Sequence, residues 1–178
     1  MSLISALAIS IGVLGGVATW LFLGPLAGGL QIWAAFIAWA AFFHCGGKEG
    51  GFKAVVLANI TGAVMAWLTL LAVTKGGLGA SLGLPLWAGI CVGVGVLVMI
   101  LLANIPAFAA IPALVYGFAA TAAFALLSAD GLANLTAASL GNPLVTIILS
   151  MIAGAAFGYV SEKLAGALVA GSGQTRRA

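Results

Sequence analysis

The chain has 178 residues, 64% of them hydrophobic and only 5% charged, with six Lys or Arg, three Asp or Glu and one His. Soluble domains carry about 25% charged residues, and mean hydropathy here is +1.29, so a water-soluble fold is excluded. The small net charge of +3 fits orientation in a lipid bilayer and gives no basis for nucleic-acid binding.

Residues 2–47, 76–129 and 131–161 contain no charged side chain. A helix needs about 20 apolar residues to cross the hydrocarbon core. Transmembrane β-strands alternate apolar and polar positions, which these runs do not. The expected class is therefore an all-α integral membrane protein of six transmembrane helices, forming a single domain over 1–170.

Punctuation by Gly, Pro and charge places the spans. The first covers about 3–23 and is closed by Gly24-Pro25. It is longer than a signal-peptide core and lacks a basic leader, so it reads as a permanent span. The second covers about 26–45 and ends at the glycine-rich stretch Gly46–Gly51, read as a flexible turn because it lacks phosphate-loop spacing. The third covers about 52–74, the fourth 85–103, the fifth 106–129 and the sixth 143–170. Pro85, Pro106 and Pro143 suit first turns of helices, and Asn142 is an expected N-cap. The turns after the first and fourth spans are short enough to predict helical hairpins. Residues 130–142 read as a re-entrant or an amphipathic surface helix, and 171–178 as a flexible cytoplasmic tail. No soluble domain is expected on either side of the spans.

With six spans, Lys48, Lys53, Lys163, Arg176 and Arg177 share one side with both termini, against Lys75 on the other. The bias predicts cytoplasmic termini. Shifting the chain by 81 pairs Gly12 with Gly93 and Pro25 with Pro106; shifting it by 92 pairs Gly62 with Gly154 and Ala63 with Ala155. These matches suggest two inverted three-helix repeats. A competing match, Ser81–Leu86 with Ser139–Leu144, suggests repeated hairpins instead.

Small residues recur at spacing four: Ala8, Gly12 and Gly16; Ala58, Gly62 and Ala66; Gly89 and Gly93; Ala113 and Gly117; Ser150, Gly154 and Gly158. Such faces let helix backbones approach in lipid. Their abundance exceeds what one bundle needs and predicts a homo-oligomer, a dimer or trimer. Trp20 and Trp87 suit interfacial belts, whereas Trp33 and Trp39 fall inside the second span.

Chemistry is sparse. His44-Cys45 is too small a set for a metal site, and Cys91 lies on another span. Glu49, Asp130 and Glu162 fall near span ends, not at the midplane where proton relays sit. No catalytic residue, cofactor or metal is expected, and the protein is not read as an enzyme. Uncharged polar residues remain within or near the spans: Gln31, Asn59, Thr61, Asn104, Tyr116 and Ser150. Gln31, Trp33, Asn59, Thr61 and Tyr116 are the candidate pore-lining residues; interhelical hydrogen bonding is the alternative for each.

The segments Trp33–Phe36, Phe42–Gly47, Gly51–Lys53, Gly62–Trp67, Ile105–Phe108 and Gly154–Tyr159 together resemble the YcdZ-like bacterial inner-membrane proteins, a multi-pass family of uncharacterised function. The resemblance implies a bacterial inner-membrane location and adds no functional residue. Two functions fit the residues: a channel or facilitator for a small neutral solute (urea-, ammonia- or amide-like), or a non-catalytic accessory subunit of a larger membrane complex.

Overall fold

A computed structural model describes residues 1–174. The described chain is helical throughout its regular structure: α1 Leu3–Leu23, α2 Ile32–His44, α3 Lys48–Lys75, the single turn α4 Gly79–Leu82, α5 Leu84–Leu101, α6 Ile111–Leu127 and α7 Pro143–Gln174. Helices are what apolar runs must form in lipid, because each residue satisfies its own backbone groups within the segment. Four helices are long and apolar enough to cross a bilayer: α1, α3, α5 with its 3-10 extension to Asn104, and α7. The helices α2 and α6 are apolar but shorter, at 13 and 17 residues.

The first span ends as expected, with Gly24 N–H donating to the Trp20 carbonyl before Pro25. The second helix begins later than expected, at Ile32 rather than near residue 26. Pro25 lacks an amide proton, Gly28 takes a positive φ of 76°, and the amides of Leu26, Ala27, Gly29 and Leu30 bond carbonyls three to five residues back in turns. Trp33 consequently lies in the first turn of α2, not deep within it. A 3-10 turn at Pro106–Phe108 likewise delays α6 to Ile111, with Pro112 in its first turn. The glycine-rich stretch is only partly a turn. Gly46 and Gly47 have φ of 88° and 64°, but α3 starts at Lys48, and Gly50 and Gly51 are helical. Residues 130–142 form neither a re-entrant nor a surface helix: beyond a 3-10 turn at Ala133–Thr136 they are irregular. At the far end α7 continues through Gln174; the expected tail beyond it, with Arg176 and Arg177, lies outside the described residues.

The expected hairpin pairs, α1 with α2 and α5 with α6, touch only slightly. The most extensive helix contacts are α3 on α6 and α2 on α7; α1 lies mainly against α7, and α5 mainly against α3. Two groups result: α1, α2 and α7 in one, α3, α5 and α6 in the other, meeting chiefly where α3 crosses α7. Each group therefore takes helices from both halves of the sequence.

Glycine sets the two main crossings. A Cβ on Gly62 would overlap the Leu114 carbonyl, and one on Gly117 would overlap the Asn59 carbonyl, so α3 and α6 touch backbone to backbone. A Cβ on Gly154 would overlap the Ala35 carbonyl where α7 crosses α2, and Gly158 faces the Phe42 ring. Phe42, Val55, Met99 and Leu114 fill the core around these contacts. The peripheral helices are different. Gly12, Gly16, Gly89 and Gly93 have nothing within 4 Å of an added Cβ. Leu and Ile side chains cover the outside, Ile4 at 80% and Leu127 at 85% exposure, an apolar surface that only lipid or another protein can accommodate.

The ends of the bundle are identifiable. The Met1 amino group donates to Ser172 Oγ at 2.7 Å, so α1 starts beside the end of α7. That end also holds the α2–α3 turn, tied to Glu162 of α7. At the opposite end Trp67 Nε1 donates to the Leu135 carbonyl at 2.7 Å, and Leu140 packs against Gly29.

Candidate functional site

Among the described residues the buried polar side chains are Ser10, Asn59, Thr69, Thr121, Asn142, Thr146, Ser150 and Ser161, and none carries a charge. Most are used in packing. Trp39 Nε1 donates to Ser161 Oγ at 3.0 Å, fastening α2 to α7. Gln31 N–H donates to Ser150 Oγ at 2.8 Å, and Ser150 donates in turn to the Thr146 carbonyl at 2.6 Å. Thr146 Oγ1 donates to the Leu140 carbonyl. Asn142 caps α7 as expected, its Oδ1 accepting from Leu144 N–H at 2.9 Å, while its Nδ2 holds the Leu135 and Ala137 carbonyls. The bonds of Gln31, Asn142, Thr146 and Ser150 close the end of the bundle where residues 24–31 and 130–142 meet.

Asn59 and Thr121 stand apart. Asn59 is 2% exposed and Thr121 0%, and neither Asn59 Nδ2, Asn59 Oδ1 nor Thr121 Oγ1 has a hydrogen-bond partner in the protein. Leaving a buried polar group unpaired costs about 1–3 kcal/mol. Asn59 lies at the α3–α6 crossing, and Thr121 lies on α6 just beyond it. The Asn59 backbone touches Gly117, and Thr121 is one helical turn, about 6 Å, further along α6. Asn59 lies about 16 Å along α3 from Lys48, well inside a 28-residue helix long and apolar enough to cross a bilayer. Thr121 differs from its counterparts in another respect. Thr19, Thr61, Thr69, Thr74 and Ser150 each donate to the carbonyl four residues back, a bond that Thr121 does not make.

The five residues read from the sequence as pore-lining are not brought together. Gln31 and Trp33 pair with each other at the start of α2, Trp33 Nε1 donating to Gln31 Oε1 at 3.1 Å. Tyr116 meets His44, its hydroxyl 3.3 Å from Nδ1. Thr61 is half-buried and bonds the Leu57 carbonyl at 2.9 Å. Asn59 alone is both buried and unpaired. Thr121 escaped the sequence reading, although its spacing of four from Gly117 extends the small-residue face of α6 and was a usable signal.

Large apolar grooves sit at the periphery. One of about 340 Å³ lies between α3 and α5, lined by Met65, Thr69, Trp87, Cys91 and Gly95. Another of about 550 Å³ lies between α1 and α2, lined by Gly15, Gly16, Trp20 and Phe36. Neither reaches Asn59 or Thr121. Among the described residues no three His, Cys, Asp or Glu side chains gather as a metal set, and Cys45 and Cys91 are free thiols.

Glu162 has a role that its sequence position did not reveal. Its Oε2 accepts the Lys48 N–H at 2.7 Å, and a Cβ on Gly47 would lie 2.5 Å from its other oxygen, Oε1. The carboxylate thus caps α3 from α7, with the favourable sign for a helix N-terminus.

These features define an all-helical protein of membrane type, with a neutral, glycine-crossed core. A family model described as "Protein of unknown function (DUF1097)" matches residues 8–166, and the chain belongs to that family. No curated protein and no solved structure matches it.

Proposed function

We propose that this chain is a six-span facilitator for a small neutral solute (urea-, ammonia- or amide-like) in the bacterial inner membrane, non-enzymatic and built from two inverted three-helix repeats. Kinship with the YcdZ-like proteins, narrower than the family membership, is part of this reading. The observation that carries it is the exchange of helices between groups. The α3–α6 pairing corresponds to the α7–α2 pairing, and α5 on α3 corresponds to α1 on α7. A two-fold axis relating α1–α3 to α5–α7 would generate this pattern. The offset of Gly62-Ala63 from Gly154-Ala155 and of Pro25 from Pro106 supports the same axis. The two short helices, α2 and α6, fall in corresponding positions, which in transporters points to the region of a binding site.

A neutral solute follows from the absence of buried charge among the described residues. Ions need rings of charge or carbonyls to replace their hydration. Lys48, Lys53 and Lys163 belong to the end shared by Met1 and Ser172, and Lys75 to the other, which supports cytoplasmic termini. Stopped-flow light scattering on proteoliposomes should report solute entry without dependence on proton or sodium gradients. Flux no greater than that of empty liposomes would end this reading.

A second reading, an accessory subunit of a larger membrane complex, is favoured by the open Gly12/Gly16 and Gly89/Gly93 faces on α1 and α5. Affinity capture from native membranes should then bring down a fixed set of membrane partners. The same faces suit self-association as a dimer or trimer.

A further inference from the structure

We infer that Asn59 and Thr121 together form a niche at the α3–α6 crossing for one molecule of single-heavy-atom size that both donates and accepts hydrogen bonds, namely water or ammonia. The chemistry follows from the unmatched groups. The Asn59 amide presents two donors and an acceptor oxygen, and the Thr121 hydroxyl presents one donor and two lone pairs. A ligand answering both must itself donate and accept. Among the described residues no buried charge is available to balance an ion, so ammonia enters as the neutral base rather than as ammonium.

The size limit follows from the packing. Gly62 and Gly117 bring the α3 and α6 backbones into contact, with no room for even a methyl group. Asn59 and Thr121 are both more than nine-tenths buried, and the larger grooves do not reach them. A planar amide such as urea needs several times the space of a water molecule and does not fit beside such a contact. The hydroxyl of Thr121 is free to take part because it does not bond back to its own helix, as Thr61 and Thr69 do.

As a statement about transport, this deepens the facilitator reading and rests on it, narrowing the solute from the urea class to ammonia or water. Occupancy of the niche does not rest on it. The test uses the full chain and its Asn59→Leu, Thr121→Val and double variants in vesicles of sphingomyelin and cholesterol. An internal pH dye reads ammonia entry from an ammonium chloride gradient, and light scattering reads urea entry. The wild type should pass ammonia and leave urea at the empty-vesicle rate. Each single substitution should lower ammonia flux about fivefold to tenfold, the worth of one hydrogen bond expressed as a rate. The double variant should be no slower than the slower single, because both lose the same bound molecule.

Urea flux above empty vesicles in the wild type would overturn the size limit and leave the facilitator reading standing. Single effects that multiply in the double variant would overturn the shared molecule. If neither solute crosses, the facilitator reading falls, and chemical unfolding of the four proteins in detergent decides the niche. A double variant no less stable than the weaker single supports one resident water between the two side chains. Additive losses overturn it.

Discussion

Glu162 sits 114 residues from the amide it caps, and that separation explains why its role was hidden in the sequence. Asn142, one position before Pro143, was legible as a cap because its partner Leu144 is two residues away. A local rule can find the second kind of contact and not the first. The capping role of Glu162 gives a prediction. Glu162→Ala leaves the Lys48 N–H without its acceptor and should lower stability by about 0.5–2 kcal/mol, read as a lower midpoint of chemical unfolding in detergent. Glu162→Gln, which keeps an acceptor oxygen, should lose less. An Ala variant as stable as the wild type would show that solvent replaces the carboxylate at no cost. Asn59 was singled out from its polarity within an apolar run, and its burial agrees with that reason for notice. Thr61, two residues on, drew the same notice, yet its hydroxyl is spent on Leu57. Sequence alone does not say which side of a helix faces inward when nearly every side chain is apolar.

The same limit governs whole helices. Ala8-Gly12-Gly16, Gly89-Gly93 and Ser150-Gly154-Gly158 share one spacing, yet only the last is used within the protomer. In a soluble helix a polar face marks the outside; here lipid replaces water and the mark disappears. Apolar helices were legible because length and hydropathy suffice for their existence, and α1 covers the 3–23 read from the sequence, but among the described residues only four of them are long enough to cross a bilayer. The late starts of α2 and α6 were not legible, since Gly and Pro signal a break without fixing where the next helix begins. Substitution should separate the two kinds of glycine. Gly154→Leu and Gly62→Leu drive side chains into the Ala35 and Leu114 backbones. Each should cost at least about 1–3 kcal/mol, read as loss of folded protein after extraction. Gly12→Leu and Gly93→Leu point into open space and should leave the monomer folded. If copies of the chain meet along those faces, the same two variants should shift native mass spectra from oligomer toward monomer. Unchanged spectra in both would remove α1 and α5 as the contact.

For the whole molecule, composition was enough to establish the membrane class, because 5% charge leaves no route to a wetted surface. Which helix lies against which was beyond it: the hairpins expected from short turns gave way to contacts between residues far apart, such as Ala35 with Gly154. Orientation is open to direct test. A reporter fused after Gln174 should give a cytoplasmic signal in bacteria, in keeping with the Lys48, Lys53 and Lys163 end. A periplasmic signal would remove both the six-span count and the repeat relationship that depends on it.

The exchange of helices also fixes an order of events during synthesis. When α3 leaves the ribosome its main partner, α6, has not been made, and α2 must wait for α7, the last helix of the described chain. Gly62 of α3 is therefore made before the α6 backbone it touches, and Ala35 of α2 before Gly154 of α7, so the native contacts close late. Such delayed, long-range pairing slows folding and leaves the early product exposed to proteolysis. Residues 1–83 and 84–178 expressed separately should each be degraded, whereas co-expression should let both accumulate as one complex. Stable accumulation of 1–83 alone would mean that the early helices find a different, self-sufficient arrangement before the rest arrives.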